Sequence, residues 1–503
     1  MRRSPLLVIA LALVTTACAS PAALVAGDPA LTPEPPAPIL NLTVIAVDDG
    51  TAVSGADVTI DRQVLVTDED GSISLEWTDE LVQYAVAAPG FSATAGSIAA
   101  YPETTDGTVE VTMDPHILEG AVVGPNGQPL PGTTVAMNGR TTVTDDTGAF
   151  RISRATAGEL TVTRPAWEPA AGSWDGEALS VEIQMEPRDI RALRVSGDKA
   201  ADPDVWAGLL ELADQSVVNA FVIDTKDEGG WVYHESAVPT VSEIGALNSN
   251  FLYDVEQVIA DMDAHGLYKI TRITTFQDNF LSRARPEIAV RDNTTGGVWR
   301  NYKDIGWLDA TDRGAWEYPL ALAQEACELG FDEIQFDYVR FPSDGDISTI
   351  EVDGGYTEEV RVATIQAFLE EAHALLNPMG CAVAADIFAI TLTSDWDEGI
   401  GQRPEVLSTA IDVLSPMIYT YTYAPGWNGY EDPDEHAVEL VTLALDSGIP
   451  RDRGFSIYRP WIQTWQLNAA EIMAVQDVVE ERELGWMIWS ANTQYDTSFL
   501  RPE

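Results

Sequence analysis

Ile334-Gln335-Phe336-Asp337-Tyr338-Val339-Arg340-Phe341-Pro342 places a carboxylate and a guanidinium inside an otherwise apolar run that stops at a proline. It is one of a series. From residue 191 onward, short β-branched or aromatic runs alternate with helical stretches, and eight strands are expected near 192–197, 220–226, 268–276, 333–341, 382–390, 413–422, 454–461 and 485–492. That alternation marks repeated βα units and a parallel sheet. Eight such units over about 310 residues fit a (β/α)8 TIM barrel with insertions, expected over 188–503. A doubly wound open sheet has the same alternation. Its usual marker is missing, because no Gly-x-Gly-x-x-Gly or Walker-type loop follows the first strand. Between strands, Trp316, Leu320, Ala323 and Cys327 recur at helical spacing, which places Cys327 as a buried hydrophobe rather than a nucleophile.

Upstream the texture is different and it repeats. Gly55-Ala56-Asp57-Val58 aligns with Gly132-Thr133-Thr134-Val135, Thr67-Asp68-Glu69-Asp70-Gly71 with Thr144-Asp145-Asp146-Thr147-Gly148, and residues 109–115 with 181–187. Two copies of one module, 41–115 and 116–187, therefore precede the barrel. Each alternates apolar and polar residues in short runs between Asp/Gly turns, the pattern of a small sandwich of antiparallel strands. The Asp-x-x-Gly segments suit hairpin turns better than calcium loops, because the turn geometry alone demands those residues. The modules are expected to space or orient the barrel.

The chain begins with Arg2 and Arg3, an apolar run from Leu6 to Val14, and small residues around Cys18. This is an export signal, too short to remain as a membrane-spanning helix. Cys18 is the candidate for lipidation, giving an envelope lipoprotein, with plain secretion as the alternative. The Ala/Pro-rich stretch to residue 40 reads as an extended tether.

The formal net charge of -52 repels nucleic-acid phosphates, so no nucleic-acid partner is expected, and any membrane association is through a lipid anchor at most. Three cysteines are too few for a disulfide framework, and the five histidines show no paired metal-ligand spacing. No cofactor or metal is expected.

In a (β/α)8 barrel the chemistry lies at the carboxyl ends of the strands. There this sequence places Asp337 and Arg340 on the fourth strand and Asp386 on the fifth. Two carboxylates on adjacent strands can converge, and glycosidic bond cleavage needs such a pair, one protonated to serve the leaving oxygen and one ionised. Asp337 and Asp386 are the catalytic candidates. Arg340 either holds one carboxylate ionised or forms a structural ion pair with Asp337. Candidate substrate-binding residues at other strand ends are Asp224, Lys226, Arg272, Tyr419, Trp461, Trp489 and Asn492, with Tyr421 beside them. Eleven of the fourteen tryptophans follow residue 191, and Trp231, Trp299, Trp307, Trp396, Trp427, Trp461, Trp465 and Trp489 are candidate walls for sugar rings. The long stretch 277–309 reads as a substrate-covering loop.

The run from Phe331 to Pro342 resembles the signature of a bacterial glycoside-hydrolase-like family of unknown function, distantly similar to α-amylase-type enzymes. Ala385-Asp386-Ile387-Phe388, Leu414-Ser415-Pro416-Met417-Ile418-Tyr419 and Gly485-Trp486-Met487-Ile488-Trp489 agree with it. The upstream copies resemble carboxypeptidase regulatory-like sandwiches. The family resemblance implies a barrel and a carbohydrate substrate, with Asp337 in the nucleophile position and Asp386 as acid/base. Relatives of α-amylase type usually carry Glu on the fifth strand, so Asp224 or Asp397 remains open for the second role. The expected function is hydrolysis of an extracellular or envelope polysaccharide. A non-catalytic carbohydrate-binding or scaffold barrel is the alternative, and a metal-dependent hydrolase using Asp224, Asp337 and Asp386 is a third.

Overall fold

The computed structural model describes residues 38–76, 81–99 and 107–502. The export signal, Cys18 and nearly all of the tether lie outside them. The first module copy makes up most of one compact unit, and the second copy forms another together with the barrel.

Both copies have the same strand order. The first has a three-stranded sheet, Ser72–Glu76 beside Ile39–Ala46 beside Gly107–Met113, and a four-stranded sheet of Gln63–Val66, Asp57–Ile60, Val82–Ala87 and Thr94–Ile98. In the second copy the corresponding sheets are Ala149–Ser153, Ile117–Val123, Ser180–Gln184 and Arg140–Val143, Thr134–Met137, Gly158–Thr163, Ala170–Trp174. Alternation sets the inner face, so Leu40, Leu42, Val44 and Ala46 are all buried. One feature departs from the antiparallel expectation. In each copy the last strand returns beside the first and runs parallel to it. The Asp-rich segments are turns: Asp68 Oδ1 accepts from the N–H groups of Asp70 and Ser72, and Asp145 Oδ1 from those of Thr147 and Ala149.

The eight barrel strands are β1 (Arg191–Val195), β2 (Ala220–Lys226), β3 (Tyr268–Thr274), β4 (Glu333–Asp337), β5 (Ala382–Phe388), β6 (Val413–Met417), β7 (Ile457–Tyr458 and Trp461–Gln463) and β8 (Trp486–Trp489). They are parallel and closed, β8 pairing with β1. Every residue of β2 is buried, as expected for a sheet covered on both faces. The seventh strand, expected as one run, is split at Arg459-Pro460, where proline has no N–H for the ladder. The sixth ends early, and Thr420–Thr422 turns into a short 3-10 helix.

Two expectations, on Cys327 and on the stretch 277–309, are corrected. Cys327 is bonded to Cys381 as a disulfide, because the last turn of the helix Glu317–Leu329 brings its Cα to 6.0 Å from that of Cys381, the residue just before β5. The second sandwich packs directly on the barrel. Its core continues into Ala382, Ala384, Val413, Phe455 and Ile457 around the amino ends of β5, β6 and β7. There Arg164 donates to Asp412 at 2.9 Å, both side chains being fully buried. The stretch 277–309 is a packed insertion. Trp299 and Trp307 are buried in it, Arg291–Asp292 pairs with Ile350–Glu351, and none of it lines the barrel's cavity.

Candidate active site

Inward-pointing residues near the carboxyl ends of the first five strands form one charged layer: Arg194, Asp224, Arg272, Asp337 and Asp386. The period of two puts each of them on the inner face. Arg194 pairs with Asp224, and Arg272 Nη1 donates to Asp224 Oδ1 at 3.1 Å. Arg272 Nε and Nη2 both donate to Asp337 Oδ2, at 2.9 and 2.6 Å. Asp337 Oδ1 accepts from the N–H of Tyr338 at 2.6 Å. That contact is made with Tyr338 at φ 50°, a left-handed conformation that a bulky residue adopts only when its surroundings impose it.

Asp386 sits differently. Its Oδ1 accepts from Trp461 Nε1 at 2.7 Å, while its buried Oδ2 has no partner. Burial, and then the neighbouring Asp337 charge, push its pKa well above the ordinary carboxylate range against the pull of Arg272 and Trp461. The protonated form of Asp386 is therefore favoured relative to an ordinary carboxyl group. Burial and the same two carboxylates also raise the Tyr419 phenol.

Above this layer opens a cavity of about 390 Å³. Glu228, Arg272, Asp337 and Arg340 bring charge to it. Its aromatic side is built from Tyr419, Tyr421, Trp427, Trp465 and Trp489, with Trp465 ring centroids 5.2 and 5.4 Å from those of Tyr419 and Tyr421. Such faces can stack on the apolar faces of sugar rings. Trp489 also lies against the guanidinium groups of Arg194 and Arg272, which fixes the wall to the charged layer.

Of the residues expected from sequence, Asp337, Arg272, Arg340, Tyr419 and Trp489 line the cavity, as do Trp427 and Trp465 among the tryptophans. Asp224, Asp386 and Trp461 lie in or beside the charged layer, buried and outside the cavity lining. Lys226 is fully buried, its Nζ 2.7 Å from Asp278 Oδ2 and donating to the Thr274 carbonyl at 2.7 Å, so it holds two strand ends together away from the cavity. Asn492 is exposed and does not line the cavity. Trp231 and Trp396 are on the surface, and Trp299 and Trp307 are sealed inside. Asp397 is engaged by Arg361 through both oxygens, at 2.7 and 2.8 Å, and is not available for the second catalytic role. Arg340 makes no ion pair with Asp337. Arg272 does so instead, and the Arg340 guanidinium rests on the rings of Phe388, Trp307 and Tyr338. The three aspartates of the metal-site alternative are separated by arginines, since Arg272 lies between Asp224 and Asp337.

Sequence reading missed Arg194 and Glu228. Glu228 follows β2 by two residues and is half-exposed to the cavity, its Oε2 3.6 Å from Arg272 Nη1. Burial raises its pKa, but Arg272 and its other partners outweigh that and hold it below the usual value. Its signal was available: an acidic residue just past the carboxyl end of a barrel strand.

Charged groups converging at the carboxyl mouth of a closed parallel barrel, under an aromatic wall, define a glycosidase-like barrel. Residues 192–495 match the family described as "Putative glycosyl hydrolase domain", and the chain belongs to that family. The chain is similar to a hypothetical protein from Ruminiclostridium thermocellum, with 36% identity over 39% of this chain and 96% of that one and a TM-score of 0.35. It is similar to the PgaB (BpsB) glycoside hydrolase domain from Bordetella bronchiseptica, with 12% identity, coverage of 61% and 95%, and a TM-score of 0.45. An α-amylase from Lactobacillus plantarum has 13% identity, coverage of 62% and 74%, and a TM-score of 0.40. No protein with a curated description matches the chain. Structural likeness at these TM-scores carries no argument about chemistry, which rests on the site.

Proposed function

We propose that the barrel hydrolyses glycosidic bonds of an extracellular or cell-envelope polysaccharide, using Asp337 and Asp386 as its carboxylate pair. The supporting observation is their opposed environment. Asp337 opens to the cavity and receives hydrogen bonds only from N–H donors, whereas Asp386 is buried, with one oxygen unpartnered and its pKa raised by burial and by Asp337. Two carboxyl groups in contrasting surroundings are how one site keeps an acid and an anion at the same pH. In this reading Asp337 attacks the anomeric carbon or activates water toward it, and the departing glycosidic oxygen takes the proton of Asp386. Trp461 orients that acid through Oδ1, leaving Oδ2 unshared.

A second reading gives the second carboxylate role to Glu228, and its position in the cavity lining favours this. Asp337→Asn, Asp386→Asn and Glu228→Gln, assayed with wild type for reducing ends released from envelope and storage polysaccharides, separate the readings. Loss in Asp337→Asn and Asp386→Asn supports the pair. Loss in Asp337→Asn and Glu228→Gln, with Asp386→Asn active, transfers the role to Glu228. Saturable glycan binding without cleavage by wild type leaves a carbohydrate-binding barrel. We further propose that the protein acts outside the cytoplasm, anchored at Cys18 or secreted. The Cys327–Cys381 disulfide supports an oxidising compartment.

A further inference from the structure

Arg340 stands apart from the other buried arginines. Arg164, Arg194, Arg272, Arg361 and Arg459 each have a carboxylate at ion-pair distance. Arg340, only 5% exposed, has none among the described residues. Its Nη1 donates to the Phe341 carbonyl at 3.0 Å and to Ser343 Oγ at 3.1 Å. Nε and Nη2 donate to no atom among the described residues, yet they are not among the buried atoms sealed from solvent, and the residue lines the cavity. Burial pulls its pKa down, and Tyr338, Asp344 and Asp337 compensate only through space.

The rings of Phe388, Trp307 and Tyr338, with centroids 4.5, 4.8 and 5.0 Å from the guanidinium carbon, hold the group in place. Cation–π contact of this kind steadies a guanidinium but leaves its in-plane N–H donors unspent. A buried cation without a counter-ion is costly, and in a chain with 80 acidic residues against 28 basic ones a carboxylate partner would be easy to supply. The partner position is instead left open toward the cavity. A planar fork with free donors matches a carboxylate better than a hydroxyl.

We infer that Arg340 is a subsite for the carboxylate of an acidic sugar, so that the preferred glycan carries uronate-type residues. The inference rests on the reading of the cavity as a glycan site, and it adds the charge of the substrate. The whole-molecule charge opposes an anionic ligand at long range, but salt screens that field beyond about 8 Å at physiological ionic strength. A desolvated contact at Arg340 is screened much less. Selectivity for the acid should therefore persist in salt.

The test is calorimetric binding of trigalacturonate and of its carboxyl-reduced, neutral counterpart to the full chain, with Asp337→Asn as background so that no cleavage occurs. Preference for the acidic trisaccharide by tenfold or more is expected. Arg340→Gln should bring the ratio of the two affinities toward one, and Arg340→Lys should keep part of it, while near-ultraviolet dichroism checks that both variants fold. Equal affinity for the two trisaccharides, binding of neither, or a preference that survives in Arg340→Gln overturns the inference. Cleavage of neutral glycans without acid preference would leave the glycosidase reading standing and remove this one. Acid-selective binding without turnover would do the reverse.

Discussion

Glu333 and Asp337 lie on the same strand, four residues apart and on the same inner face, yet the two ends of the barrel use them differently. At the amino end Glu333 is fully buried against Arg459 at 2.7 Å, close to the place where Arg164 and Asp412 join the second sandwich to the barrel. At the carboxyl end Asp337 belongs to a chain of charges that borders a cavity. Buried charge alone therefore does not locate chemistry. What sets Asp337 apart is that it borders a cavity with an aromatic wall, whereas Glu333 is sealed against Arg459.

The contrast can be broken by experiment. Asp337→Asn should lower glycan cleavage about 10⁴-fold, equivalent to ~5.5 kcal/mol of barrier, measured per folded molecule below its urea transition. A variant that unfolds while keeping its turnover per folded molecule would exchange the roles of the two ends. Arg164→Ala should do the opposite of Asp337→Asn. It leaves Asp412 buried with His373 3.3 Å away and the N–H of Val383 but no guanidinium, and removing one partner of a buried pair costs about 3–5 kcal/mol, read by denaturant unfolding with activity assayed below the transition.

Replacing both Cys327 and Cys381 by Ala opens a loop of 54 residues and should cost about 2–4 kcal/mol, visible as a lower thermal midpoint under non-reducing conditions. A midpoint equal to that of wild type would mean the bond is not formed in the mature protein.

The smallest effect concerns pH. Asp386 binds its proton more tightly in the folded protein than in the unfolded chain, which releases it near pH 4, so the folded state loses ground as pH rises from there toward the raised folded-state pKa. Asp386→Asn removes that slope. Its melting temperature should gain on wild type between pH 4 and 7, and a constant difference would show that Asp386 is ionised in the fold.

The barrel was legible because eight apolar runs with helices between them admit few other closures, and the duplicated modules because their turns repeat residue for residue. The site was legible only in part. Strand ends pointed to Asp337 and Arg272, which line the cavity, and to Asp386, which lies buried in the same charged layer outside the lining. Sequence could not say which arginine faces which aspartate, since Arg340 follows Asp337 by three residues in the chain while Arg272 reaches it from the next strand. Lys226 looked like Asp224 in sequence, but Asp278 lies outside any strand and its pairing is decided by how the insertion folds back. The disulfide was hidden because helical spacing explains Cys327 well on its own, and its partner is near only after the helix has packed.

Tyr338 carries a cost in its backbone that Gly would remove and Asn would ease. In a laboratory evolution campaign selecting only for heat resistance, position 338 should drift toward those residues. Under selection for turnover it should remain aromatic, because the ring lines the cavity and backs the Arg340 guanidinium. The two selections would pull one codon in opposite directions, making that position a readout of which pressure shaped the natural gene.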